Sequence, residues 1–133
     1  MVLRDDIRNG DLQKVKVHFE NRNIDVNFKS SYCQETAFFV ACQCGKLDII
    51  EYVLANEREL NVLGKNYRKK SPLEIAKINS KSPRLGSEKN ENQTKQRQKG
   101  CTSIIKLLEE YQTDPKNVKI RLRKKLNLNG RVL

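Results

Sequence analysis

Two stretches of this chain occupy the same place in a repeating pattern. Thr36-Ala37-Phe38-Phe39-Val40-Ala41 and Ser71-Pro72-Leu73-Glu74-Ile75-Ala76 begin 35 residues apart, and Gly10-Asp11-Leu12-Gln13-Lys14-Val15 precedes Gly45-Lys46-Leu47-Asp48-Ile49-Ile50 by the same 35 residues. The two offsets are independent of each other, and they agree. A repeat of this length constrains the fold more than any single motif, because units of about 20 to 50 residues cannot bury their apolar faces alone and must stack.

Each unit reads as two short helices folded back on one another, most completely between Glu35 and Leu63. Thr36 is a favourable N-cap, and Phe38, Val40 and Ala41 lead to Gly45, where a helix would end. After the glycine, Leu47, Ile49, Ile50, Val53 and Leu54 recur at helical spacing, with Lys46, Asp48, Glu51 and Asn56 between them. Neither helix reaches the ~12 to 15 residues at which an isolated helix becomes marginal in water, so each needs an adjacent pair. The expected fold class is all-α, a solenoid of stacked helix-turn-helix units with a basic C-terminal tail.

This pattern resembles the ankyrin repeat, whose period is about 33 residues and whose signature is T-P-L-H-x-A followed by a glycine and a second helix. Ser71 to Ala76 matches that signature except at the histidine, and Thr36 to Ala41 matches it more loosely. Ile24-Asp25-Val26-Asn27 and Leu60-Asn61-Val62 resemble the family's lead into its hairpin loop. The chain departs from the family at the signature histidine, which is Phe39 and Glu74 here, and at the preceding turn glycine, which is Gln34 and Lys69. The likeness runs from Gly10 to about Tyr111, as two full repeats and an N-terminal half repeat.

The resemblance implies partner binding through loop tips and the exposed side of the inner helices. Carried over by position, the candidate residues are Tyr32, Cys33, Glu35 and Gln43 in one repeat and Tyr67, Arg68, Lys70 and Ile78 in the next. Both tips carry a tyrosine, an amphipathic side chain suited to anchoring an interface. The other reading is that each tyrosine packs on the neighbouring loop.

The last repeat is interrupted. Gly45 follows Ala41 by four residues, but the next glycine at the matching point is Gly100, 24 residues after Ala76. The segment 79–99 has one large apolar residue, Leu85, and six basic against two acidic residues. It is expected to be disordered without a partner, although Ser87 and the run after it could extend the next helix. Cys101 to Leu108 then aligns with Lys46 to Val53. The domain therefore spans 1–112, and a basic tail follows at 113–133. Asp114-Pro115 is a helix-start signal, and Val118, Leu122 and Leu126 form an i, i+4, i+8 stripe suited to capping the stack. A capping helix is the expectation for this tail; the alternation of Val118, Ile120 and Leu122 leaves a strand added to a partner's sheet as the alternative.

The net charge of +11 is uneven: +2 over residues 1–78, +4 over 79–99, −2 over 100–114 and +7 over 115–133. Lys116, Lys119, Arg121, Arg123, Lys124 and Lys125 are the candidate contacts for a polyanion, either nucleic acid or an acidic protein surface. The tail lacks interleaved aromatics that would stack on bases, so such binding would read no sequence.

Other chemistry has little support. Phosphate loops, nucleophile elbows and metal-ligand spacings are absent. Cys42 and Cys44 project about 200° apart on one helix, so no metal and no cofactor is expected, and the four cysteines read as free thiols of a reducing compartment. His18 has no local partner for catalysis. No apolar run approaches the ~18 residues of a membrane span, and Met1 to Asp6 lacks a signal-peptide core. The expectation is a monomeric, intracellular adaptor, cytoplasmic or nuclear, that binds another protein without catalysis. The second reading is a small accessory subunit of a nucleoprotein complex that contacts nucleic-acid backbone through the basic insert 79–99 and the tail.

Overall fold

The structure is a computed structural model and describes residues 2–56 and 59–128. The described residues form seven helices and no strand: α1 (Val2–Arg8), α2 (Leu12–Glu20), α3 (Ala37–Gln43), α4 (Leu47–Ala55), α5 (Pro72–Lys81), α6 (Glu91–Thr113) and α7 (Pro115–Lys125). The chain is thus all-α. No helix among the described residues is long and apolar enough to cross a membrane.

Caps place the helices where the local sequence calls for them. Thr36 Oγ1 accepts the Phe39 N–H at 3.1 Å, and Ser71 Oγ accepts the Glu74 N–H at 3.1 Å. Glu74 returns the contact by accepting the Ser71 N–H at 2.9 Å, which closes a capping box. The Ser71 backbone N–H, with help from the Ser71 side chain, holds the exposed Glu74 carboxyl below its ordinary pKa.

The turns after α1 and α3 are the same turn built twice. Gly10 N–H donates to the Ile7 carbonyl and Asp11 N–H to the Asp6 carbonyl; Gly45 donates to Cys42 and Lys46 to Ala41. This is the Schellman pattern, which needs a left-handed residue just past the helix. Gly10 and Gly45 supply it at φ +72° and +68°.

α3 packs against α1 on one side and α5 on the other, while α4 contacts α2 and α6. Every residue from Ala37 to Cys42 is buried, which explains why this helix shows no polar face. Phe38, Val40, Ile49, Ile50 and Leu54 form the centre of the core with Leu3, Ile7, Val15 and Ile104.

Two expectations need correction. Gly100 is not a hairpin turn: it lies inside the 23-residue helix α6, and its φ is not positive. It is where α6 crosses the α3–α4 turn, so closely that a Cβ on Gly100 would sit 2.0 Å from the Gly45 carbonyl oxygen. The glycine is required by contact between backbones.

Segment 79–99 is not a disordered insert. α5 continues through Lys81, α6 begins at Glu91, and a turn joins them. Asn90 caps α6 by accepting the Gln93 N–H at 3.0 Å. The segment has no apolar core of its own; it is organised around Arg97, which is only 4% exposed. Its guanidinium donates to both Glu88 oxygens, at 2.7 and 3.0 Å, and to the carbonyls of Asn79, Ser82 and Pro83. Arg97 holds the Glu88 carboxyl down at about 2, with help from the Leu85 N–H and the Thr94 hydroxyl. A charge this buried is retained because every donor has an acceptor.

The tail is the expected helix and not the alternative strand: residues Pro115–Lys125 are helical and pack on α4 and α6. Val118 and Leu122 are buried there and Leu126 is partly buried. Asp114 both ends α6 and caps α7, and Asn127, at φ +59°, closes the far end.

Candidate functional site

The loops before α3 and α5 carry most of the candidate partner-binding residues. Each is stiffened from within by a short polar side chain. In the first, Ser30 N–H donates to the Glu35 carbonyl and Ser30 Oγ accepts the Glu35 N–H, both at 3.1 Å. In the second, Asn66 N–H donates to the Lys70 carbonyl at 3.0 Å, and Asn66 Oδ1 accepts the N–H groups of Arg68 and Lys70. Gln34 and Lys69 hold the left-handed conformation, at φ +57° and +63°. The first loop is one residue longer, so Val26 and Val62 are 36 apart while Thr36 and Ser71 are 35 apart.

The two loops are also tied to each other. Tyr67 N–H donates to the Cys33 carbonyl at 2.9 Å, and Lys29 Nζ donates to the Lys65 carbonyl at 2.9 Å. At their base Asn27 donates to the Glu59 carbonyl and accepts the Asn61 N–H, at 2.9 and 2.7 Å. These bonds make a fixed edge from two segments that lack regular secondary structure.

On that edge the side chains differ in accessibility. Tyr32 is 88% exposed, so it does not pack on the neighbouring loop. Tyr67 is half-exposed, with the Arg68 guanidinium 5.3 Å from its ring centre and Arg68 Nε donating to its hydroxyl at 2.8 Å. The pair forms one aromatic, cationic unit. Cys33, Gln43 and Lys70 are half-buried, and Ile78 is exposed on α5. The Gln43 carbonyl is taken by the Asn79 amide at 2.9 Å.

Glu35 does not belong to an accessible surface. Its side chain is buried and lies 3.9 Å from the Arg8 guanidinium, against the end of α1. Phe28 and Leu63, which the repeat pattern does not single out, are exposed beside the loop bases at 48% and 63%. The available signal was a large apolar side chain at a position the pattern leaves to polar loop residues.

Four of the six tail cations have intramolecular partners. Lys119 Nζ donates to the Asn56 carbonyl at 3.1 Å and Arg123 Nη1 to the Ala55 carbonyl at 2.7 Å, which caps the C-terminal end of α4. That end carries carbonyls without intrahelical partners and the negative end of the helix dipole, so cations are favourable there. On the other flank Arg121 pairs with Glu110 at 2.9 Å and Lys125 with Glu51 at 2.6 Å. Lys116 and Lys124 stay exposed, with no acidic partner among the described residues. The tail is therefore in large part a docked helix, and the six side chains do not form one free patch.

The remaining reactive groups are His18 and the four cysteines. His18 Nε2 lies 3.0 Å from Asp6 Oδ2 across the α1–α2 hairpin, a partner that its own helix could not reveal. No serine, threonine or cysteine side chain is hydrogen-bonded to this pair among the described residues. All four cysteines are free. Burial pushes the thiols of Cys42 and Cys44 up, and that of Cys101 up to about 11. They are poor nucleophiles for that reason. Cys101 Sγ instead donates to the Cys42 carbonyl at 3.4 Å, next to the Gly45–Gly100 crossing. Among the described residues, no group of three or more His, Cys, Asp or Glu could hold a metal ion.

Comparison of the chain with family models, with curated proteins and with solved structures finds no match.

Proposed function

We propose that this chain is a short ankyrin-type array that works as a non-enzymatic adaptor, binding another polypeptide along its loop edge. The reading of the fold rests on the doubled Schellman turns at Gly10 and Gly45, and on left-handed backbone at Gln34 and Lys69, where the family has its turn glycine. Helix α7 serves as the cap of the array at its basic end. Free thiols throughout fit a reducing, intracellular setting.

The observation that carries the binding assignment is the fixed loop edge, on which Tyr32 is held out into solvent beside the Tyr67–Arg68 pair. An aromatic side chain this exposed on a rigid backbone loses little entropy on docking and still offers a large apolar area. Quantitative pull-down from nuclease-treated extract tests the assignment. Partners captured by the native chain should be depleted at least tenfold by Tyr32→Ala with Tyr67→Ala, in a variant that melts at the native temperature. Equal capture would overturn it.

A second reading, association with nucleic acid, is favoured by one specific observation. Five exposed lysines of α6 and α7, Lys95, Lys99, Lys106, Lys116 and Lys124, have no acidic partner among the described residues.

A further inference from the structure

The first two turns of α6 exist only because residues 79–99 fold, and they change where the free positive charge lies. At about 100° and 1.5 Å per residue, Lys95, Lys99 and Lys106 fall within an arc of ~40° and along ~16 Å of one straight helix. They lie opposite the face that buries Arg97, Cys101, Ile104 and Leu108. All three are exposed, and Asn92 and Thr102, also exposed, share the crest. The nearby acidic groups are engaged elsewhere: Glu109 lies 3.7 Å from Lys77 and Glu110 pairs with Arg121. Glu91, one turn before Lys95, forms no ion pair with it and sits at the helix N-terminus, where the dipole favours an acid.

We propose that this crest is a phosphate-backbone contact surface for nucleic acid. The inference rests on the second functional reading and narrows its binding face from the whole basic segment 79–99 and the tail to one crest of α6. Three cations in line on a rigid helix match a polymer that carries one negative charge per ~1.7 Å of duplex axis. The crest has no apolar side chain, whereas a protein partner would need an apolar centre and interfaces between proteins are depleted in lysine. It has no aromatic side chain either, so it positions the backbone and reads no bases. The outer face of α7 is less suited: its two free lysines flank Ile120, which is 58% exposed.

The test is fluorescence anisotropy on the intact chain with labelled 20-base-pair duplex DNA, duplex RNA and single-stranded RNA, with polyglutamate as competitor, over a salt series. The variants are Lys95→Glu/Lys99→Glu/Lys106→Glu and, for comparison, Lys116→Glu/Lys124→Glu. The crest side chains hold nothing in the fold, so the triple variant should keep the native melting temperature. Its affinity should fall at least ~tenfold near 0.1 M salt, and its log–log salt slope should shrink by about 2.7 on B-DNA and ~2 on a single strand. The α7 variant should lose less, and the duplex and single-strand arms identify which nucleic acid is held.

An unchanged slope in the triple variant, with the loss appearing in the α7 variant, overturns the crest and leaves the second reading standing. Failure of the native chain to bind any nucleic acid overturns both. Polyglutamate competing as well as nucleic acid, at equal charge, overturns the assignment of the partner.

Discussion

Replacing Gly100 by alanine separates packing from helix propensity, because the two act with opposite sign. In an open helix interior the change stabilises by about 1 kcal/mol. Here the new Cβ would lie 2.0 Å from the Gly45 carbonyl oxygen and 2.9 Å from its carbon. Carbon–oxygen contacts settle at about 3.3 Å or more, so α6 must back away from the α3–α4 turn by about 1 Å. Overpacking a tight contact costs ~1 to 3 kcal/mol and sometimes more, because surrounding side chains give way only in part. Cys101, whose thiol reaches the Cys42 carbonyl, would lose that bond in the same movement. The expected net loss is about 2 kcal/mol, or roughly 6 to 10 °C in melting temperature for a chain of this size. Gly86→Ala is the control: nothing lies within 4 Å of its would-be Cβ, and its φ is not positive, so it should be neutral or slightly stabilising. Thermal unfolding followed by circular dichroism decides the matter. A Gly100→Ala chain as stable as the Gly86→Ala chain would refute the close crossing.

Two further changes probe the elements that the repeat pattern does not explain. Arg97→Met strands the Glu88 carboxylate and three carbonyls, a loss of about 3 to 5 kcal/mol at most, since water can enter this surface segment. Hydrogen exchange should show amides 91–99 losing protection while α3 and α4 keep theirs. The same segment should loosen in acid. The Glu88 carboxyl is depressed from an ordinary 4.5 to about 2, so its contribution is complete above pH ~4.5 and disappears as pH falls toward 2. Uniform exchange across the whole chain, in the variant or in acid, would count against a local clamp. Arg123→Ala uncaps α4 and should lower stability by about 1 kcal/mol. Urea unfolding of Arg123→Ala and Lys124→Ala side by side is the check, with Lys124→Ala expected to be silent.

Segments whose structure depends on nearest neighbours were legible in advance. Thr36, Ser71, Asp114, Gly10 and Gly45 each start or stop a helix through bonds spanning at most five residues, and the apolar spacing of α4 and of Val118 and Leu122 marks the faces they bury. An all-α chain of short paired helices follows from these. The surface sites were legible only as positions. Glu35 and Tyr32 stand three residues apart in one loop, yet one is buried beside Arg8 and the other is almost fully exposed.

What tertiary structure alone decided are the matters in which a polar group finds its partner far along the chain. Arg97 turns a polar, charged stretch into ordered structure because five acceptors, 9 to 18 residues away, converge on it. Lys119 and Arg123 look like free charge until α7 brings them to the end of α4, 63 and 68 residues earlier. Composition counts a lysine as +1 wherever it lies, and only packing determines whether that charge faces a carbonyl or the solvent. Local bonding rules therefore set the helices, and long-range satisfaction of buried donors and acceptors set the loop edge, the clamp and the uncompensated crest of α6.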